Sequence, residues 1–303
     1  ANFKFSSGYN SNANEAENYR LNNEALSIAK ESDIVFFIGG LNKNSSQDSE
    51  GSDRQQYNLP YNQDDLIDSI SRVNKNIAVI LISGNAISMP WLSNVKTVMQ
   101  SWYLGSEAGN AIASVISGEV NPSGKLPFTF PKKLLDNGAH YHGELSYPGN
   151  GETQWYKEDI LVGYRWHDTK KIKPNFAFGH GLSYASFDLS KINSDKKSYS
   201  VTDTIKISCE IKNTGAVKGS EVVQVYIGKK NSKVKRALKE LKGFKKISVN
   251  EGKSKKVEIK IGVNKLAFYD EKKSNWSIEK GEYIIYVGNA SDNITKELKI
   301  TII

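Results

Sequence analysis

Apolar and polar positions follow two different rhythms along the chain, and the change falls near Ala185. Before it, helical and strand periods take turns. Leu21, Ala25, Ile28 and Ala29 recur at the spacing of one helix face, and Leu66, Ile67, Ile70 and Val73 do so again. Ile34 to Ile38 and Ile77 to Ile82 are short, fully apolar runs, the pattern of strands buried within a parallel sheet. Val95 to Met99 predicts a third strand. A third helix is predicted from Ser106, with Ala108, Ala111, Ile112, Val115 and Ile116 on one side and Gly118 as its stop. Asn62 stands where it can cap the second helix, and Asp64 and Asp65 fall in the first turn, where the helix dipole favours negative charge. This alternation predicts an α/β sandwich, a mostly parallel sheet with helices on both faces, over residues 1–130.

Beyond Ala185 no helical period survives. Short alternating runs replace it at Thr204 to Ile211, Glu221 to Ile227, Lys255 to Ile261, Tyr283 to Val287 and Lys296 to Ile302, separated by turn residues such as Asn213 to Gly215 and Asn250 to Gly252. About seven strands at this spacing predict an all-β sandwich over residues 186–303. Between the two lies 131–185, rich in aromatics and glycine and without clear periodicity. A stretch of that kind is expected to be functional or to wrap its neighbours as a linker.

Charge follows the same division. The net charge is +8 over 303 residues, and 186–303 alone carries 25 basic against 14 acidic residues, nearly all of the basic ones lysine. Nucleic-acid grooves favour clustered arginine and stacking aromatics, so scattered lysine predicts a solvated basic face and no nucleic-acid partner. No run approaches the roughly 18 apolar residues of a membrane span, so no membrane span is expected. Cys209 is the only cysteine, which leaves no disulfide within the chain and predicts a buried thiol. The start at Ala1, without Met or an apolar leader, is expected to be a cut or processed one.

The candidate chemistry lies in the loop from Asn42 to Tyr61, which follows the strand ending at Gly39 and Gly40 and therefore sits at a carboxyl end of the sheet, where ligands of open α/β sheets collect. It holds Asp48, Glu50 and Asp53 beside Arg54. A carboxyl paired with arginine ionises and is a poor proton donor, whereas one turned into a drier cleft can keep its proton. Asp53 and Arg54 read as loop support and Glu50 as the freer acid; solvent-exposed decoration is the alternative. Aromatic faces stack on the apolar face of a sugar, and 131–185 offers His140, Tyr141, His142, Trp155, Tyr156 and Trp166 as a substrate wall, with packing at the domain junction as the alternative. His140 and His142 lack a convincing third and fourth ligand, so no metal is expected.

Several long motifs in fixed order carry a resemblance. EGSDRQQYNLP (50–60), SGNAISMPW (83–91), WYLGSEAGNAIA (102–113), GEVNPSGKLPFTFP (118–131), YKEDILVGYRW (156–166) and FGHGLSY (178–184) resemble family 3 glycoside hydrolases, and LKELKGFK (238–245) with 276–288 resembles the fibronectin type III-like module of that family. The likeness spans nearly the whole chain. It implies an α/β sandwich, entered late near a strand at Phe3 to Phe5, then a fibronectin type III-like sandwich. It also implies a retaining, exo-acting β-glucosidase type of enzyme without cofactor, acting on terminal β-D-glucosyl residues of a β-glucoside or oligosaccharide. Its general acid/base falls on Glu50, with Asp48 as runner-up because the loop varies in length between subgroups; Asp53 and Arg54 brace it. The nucleophilic aspartate of the family resides on a separate (β/α)8 barrel, which 303 residues do not hold, so the barrel is expected as a partner, in the same enzyme or another chain, and this chain alone is expected to be inactive. A β-xylosidase and a non-catalytic carbohydrate-binding or scaffold remnant remain as alternatives. The motif set resembles periplasmic or secreted bacterial enzymes.

Overall fold

The computed structural model describes residues 2–44, 47–52 and 54–303. Helix α1, Glu15–Lys30, opens on Asn14, whose side chain accepts the Glu17 amide. Strand β1, Val35–Gly40, is followed by α2, Gln63–Val73, β2, Ile77–Ile82, β3, Thr97–Gln100, and α3, Ala108–Ile116. The three strands form a parallel sheet in the order β1-β2-β3, in register from Val35 opposite Ile77 to Gly40 opposite Ile82. Helix α2 lays Leu66, Ile67 and Ile70, all buried, toward α1, β1 and β2. On β1, Phe37 is buried while its neighbours Phe36 and Ile38, which point to the other face, are exposed.

Two local expectations give way here. Asn62 does not cap α2: it is left-handed, at φ 55°, and makes no side-chain cap bond, because capping requires an extended backbone that aims the side chain at the first-turn amides. Phe3 to Phe5 is not a strand either; no sheet pairing forms there, and Phe3 and Phe5 are exposed.

The chain divides into two compact units, Ala1–Ala113 and Ser114–Ile303. The second contains two short helices, α4, Gly138–Tyr141, and α5, Tyr164–Lys170, and then only strands and single turns. Its strands are β4 Phe187–Ser194, β5 Ser198–Tyr199, β6 Thr204–Asn213, β7 Gly219–Lys229, β8 Glu240–Val249, β9 Ser254–Gly262, β10 Phe268–Asp270, β11 Asn275–Ser277, β12 Gly281–Gly288 and β13 Ile294–Ile302. A five-stranded sheet, β5-β13-β12-β7-β8, and a three-stranded sheet, β4-β6-β9, bury alternate residues between them, among them Ile205, Ile207, Ile211, Val223, Val225, Ile259, Ile285 and Ile300. Cys209 lies in that core as a free thiol, and burial pushes its pKa up to about 11. Strand β8 carries no two-residue period that the sequence could show, because Phe244 and Lys245 are both exposed and Gly243 interrupts the alternation.

The stretch 131–185 folds together with this sandwich. Tyr164 Oη accepts the Leu241 amide at 2.8 Å, Lys239 Nζ reaches Asp168 at 2.7 Å, and Gln224 donates to the Gly179 carbonyl at 3.2 Å. Among the described residues no helix is long and apolar enough to cross a membrane.

Ile67 is fully buried between α2 and the sheet. Ile67→Ala is expected to destabilise the first unit by about 2–5 kcal/mol, the usual result of emptying a buried aliphatic site; a urea midpoint unchanged from that of the unaltered chain would contradict this packing.

Candidate active site

Because β1, β2 and β3 are parallel, the segments that leave their carboxyl ends emerge on one edge of the sheet. Gly40 fixes how closely the first two approach. Its φ is 141°, and a Cβ there would lie 2.0 Å from the Ile82 carbonyl oxygen, so only glycine fits. Gln63, fully buried at the start of α2, donates to the Gly40 and Pro60 carbonyls at 2.9 Å each, and its amide oxygen accepts the Gly40 N–H at 2.8 Å. The two ends of the loop between β1 and α2 are thereby clamped together.

Inside that loop three amide side chains, from Asn42, Asn44 and Gln47, donate to the Tyr61 hydroxyl at 3.1, 3.0 and 2.8 Å. Burial raises the Tyr61 pKa, but these donors outweigh it and the net shift is downward. Asp48 reaches across the sheet edge. Its Oδ2 accepts the Gly84 N–H at 2.8 Å and the Tyr103 hydroxyl at 2.7 Å, and its Oδ1 accepts Asn85 Nδ2 at 3.0 Å. Burial raises the Asp48 pKa, and the Tyr103, Asn85 and Gly84 donors, with the nearby charge of Arg54, more than offset it, leaving the group below its ordinary value. Tyr103 is pushed the other way, to about 12, by burial and by its bond to that carboxylate.

Arg54 gives its guanidinium to main-chain carbonyls, those of Ala86 at 2.7 Å, Tyr57 at 2.8 Å and Asn58 at 3.3 Å. It therefore ties the loop to the segment after β2. Asp53, expected to support the loop with Arg54, lies outside the described residues. Asp64, in the first turn of α2, accepts Trp91 Nε1 at 2.7 Å and the Leu59 N–H at 3.1 Å; burial is the largest influence on it and raises its pKa. Glu50 stands apart from all of these bonds. It is exposed at the head of the turn through Gly51, and among the described residues its carboxylate has no hydrogen-bond or ion-pair partner.

The proposed wall residues belong to the second unit and divide by exposure. Tyr141, Trp155 and Tyr156 are exposed, with Lys157 Nζ 4.4 Å from the centre of the Trp155 ring. His140 is half-buried against Tyr147, ring centres 4.7 Å apart, and burial lowers its pKa. His142 meets Trp166 edge to face at 5.4 Å. Trp166 itself is only 2% exposed, packs with Leu161 and Ala237, and donates its indole N–H to the Asp136 carbonyl at 3.1 Å. Trp166 offers no free face to a sugar: α5 turns Tyr164, Trp166 and His167 inward, and packing claims the ring. No group of three or more metal-ligating side chains gathers among the described residues.

Gln63 and Tyr103 were not singled out from the sequence, and Asp64 only as a negative charge in the first turn of the second helix. Their signal was positional, since each lies within a few residues of a strand's carboxyl end or a helix start, but polar residues at such places carry no mark of their partner until the sheet order is known.

A parallel α/β sheet with an acidic loop at its carboxyl edge, followed along the chain by a β-sandwich, defines the class of fold. Residues 5–184 match the glycosyl hydrolase family 3 C-terminal domain and residues 221–291 a fibronectin type III-like domain. The chain belongs to glycoside hydrolase family 3. It is 48% identical over 274 residues to the beta-glucosidase BoGH3A of Bacteroides ovatus, a match covering 90% of this chain and 37% of that protein. Among solved structures, the family 3 beta-glucosidase of Bifidobacterium adolescentis superposes with a TM-score of 0.90 at 34% identity, over 98% of this chain and 43% of its own. The beta-glucosidase DesR of Streptomyces venezuelae, solved with D-glucose, superposes at 0.88 with 33% identity, over 95% of this chain and 36% of its own. The chain thus spans well under half the length of these relatives.

The lowered Asp48 pKa gives a pH signature. A carboxyl whose folded value lies below its unfolded one adds stability that is full above the unfolded value and is lost as pH falls through the folded value. The Asp48 carboxyl carbon, followed by NMR, is expected to titrate below 3.8, and Tyr103→Phe is expected to move it upward; a titration unchanged by Tyr103→Phe would show that this bond does not hold the charge.

Proposed function

We propose that this chain supplies the general acid/base of a retaining, exo-acting β-glucosidase, and that Glu50 is that residue. The observation that carries the reading is the contrast within one loop. Asp48 has both oxygens occupied by donors and is held as a carboxylate, Arg54 is spent on carbonyls, and among the described residues of the loop Glu50 presents an exposed, uncommitted carboxyl. A proton donor must be free to reach the leaving oxygen, and a carboxylate already engaged by three donors is not.

In the retaining mechanism two carboxyls stand about 5–5.5 Å apart, one attacking the anomeric carbon while the other protonates the departing oxygen and later deprotonates water. Glu50 takes the second part. The attacking carboxylate comes from a (β/α)8 barrel that covers the carboxyl edge of the sheet, with a terminal β-D-glucosyl residue between them, and without that barrel this chain is inactive. Tyr141, Trp155 and Tyr156 are the exposed aromatics of the second unit suited to sugar contact. The glucosyl reading is supported by the relatives, named as beta-glucosidases, and by the D-glucose bound to DesR.

Combined with a barrel, in one chain or by mixing, the protein is expected to hydrolyse aryl β-glucosides. Glu50→Gln should lower kcat/KM for phenyl β-glucoside by about 10²–10⁴-fold, the usual worth of general acid catalysis, and added azide should restore turnover of an activated substrate by Glu50→Ala. Equal rates for the wild type and Glu50→Gln would remove Glu50 from the chemistry.

A further inference from the structure

We infer that Asp48 is a positioning residue for the proposed acid, a fixed anion that gathers the turns behind all three strands and so holds the backbone at Glu50 in one place. The inference rests on the reading of Glu50 as proton donor. The bonds that carry it run from the loop after β1 to Gly84 and Asn85 after β2 and to Tyr103 after β3. These partners are 36, 37 and 55 residues away in sequence, so one carboxylate joins three segments that nothing local would hold together. Asp48 is also anchored by its own main chain, its N–H donating to the Asn42 carbonyl at 3.1 Å. From there the chain takes only two steps, each about 3.8 Å between Cα atoms, to Glu50.

The surrounding residue types fit this part. At Gly84 a Cβ would stand 3.2 Å from Asp48 Oδ2 and 3.0 Å from the Tyr103 ring, so glycine is what allows the carboxylate to approach the amide. Beyond Asp48, the Ser49 and Ser52 hydroxyls are 2.8 Å apart and close the small turn through Gly51, whose φ is 80°. Glu50 sits at the head of that turn. A turn fixed on one side by Asp48 and closed by the Ser49–Ser52 contact presents the acid with little backbone freedom, while among the described residues the acid's own side chain stays unbound.

Replacement by asparagine separates this role from simple packing. Asn has nearly the same shape, but its amide nitrogen is a donor and must face one of the three donors that now converge on the carboxylate. A shift of about 1 Å in a catalytic group can cost on the order of 10²-fold in rate. The effect should appear only where proton donation limits the reaction, so kcat/KM, which reports the bond-breaking step, is compared between phenyl β-glucoside, a poor leaving group, and dinitrophenyl β-glucoside, which departs without help.

In the barrel-bearing enzyme Asp48→Asn is expected to lose on the order of 10- to 100-fold on the phenyl substrate and to remain within about threefold on the dinitrophenyl one. Tyr103→Phe should show the same selectivity at smaller amplitude, and Asp48→Asn should add nothing once Glu50→Gln is present. An equal loss on both substrates, or a loss that multiplies in full with that of Glu50→Gln, would overturn the inference. A second measurement keeps its failure separate from that of the acid assignment. If Glu50→Gln does not distinguish the two leaving groups, the assignment of Glu50 falls, and the tether is then judged by amide hydrogen exchange. Asp48→Asn should speed exchange at Gly84 and at residues 49–52 by about tenfold or more, a loss of protection of the size that follows when one hydrogen-bonded contact opens; unchanged exchange would show that Asp48 tethers nothing.

Discussion

The site of the first unit depends on the parallel pairing of β1 with β2. Antiparallel neighbours would send successive loops to opposite ends of the sheet; parallel ones deliver every carboxyl end to the same edge. Here the pairing continues to its last pair, Gly40 opposite Ile82, and the closeness there is set by the absent side chain of Gly40. A long polar loop leaving one strand therefore emerges beside short segments leaving the next two. Hydrogen bonding then follows from proximity: donors that emerge side by side at the sheet edge come within reach of one carboxylate, which can accept from several.

Electrostatics divide the labour within the loop. Asp48 collects donors, Arg54 collects carbonyls, and Asp64 collects the Trp91 indole and a main-chain amide. Each is made immobile by the bonds that satisfy it. Among the described residues Glu50 takes no part in that network, which is what suits it to the proton-donor part proposed for it. A rigid frame around a free carboxyl is the arrangement expected where a proton must move in a defined direction.

The second unit solves a different problem. Its sandwich core is almost wholly aliphatic, while buried charge pairs fasten the preceding chain to its outer side, Asp168 of the stretch 131–185 to Lys239 at 2.7 Å and Lys125, just before that stretch, to Glu221 at 2.6 Å. Burial raises the Asp168 pKa and Lys239 pulls it back, so each charge is tolerated because its partner is present. Removing one member would strand the other as an uncompensated buried charge, a strongly destabilising change.

The sequence by itself determined the two rhythms, the order of α1, β1, α2, β2, β3 and α3, the run of family motifs and the acidic loop, because side-chain periodicity and short motifs are local properties. The inward alternation of β6, β7 and β9 was legible in the same way. It did not determine that Asn62 would turn left-handed, that Trp166 would be drawn into the core, or that 131–185 would fold with the sandwich. Least of all did it fix the part played by Asp48, which reads as one acid among three in the loop. Those outcomes depend on which distant segments come to lie together, and only the tertiary structure, by laying Gly84, Asn85 and Tyr103 along one sheet edge, decided where each hydrogen bond went.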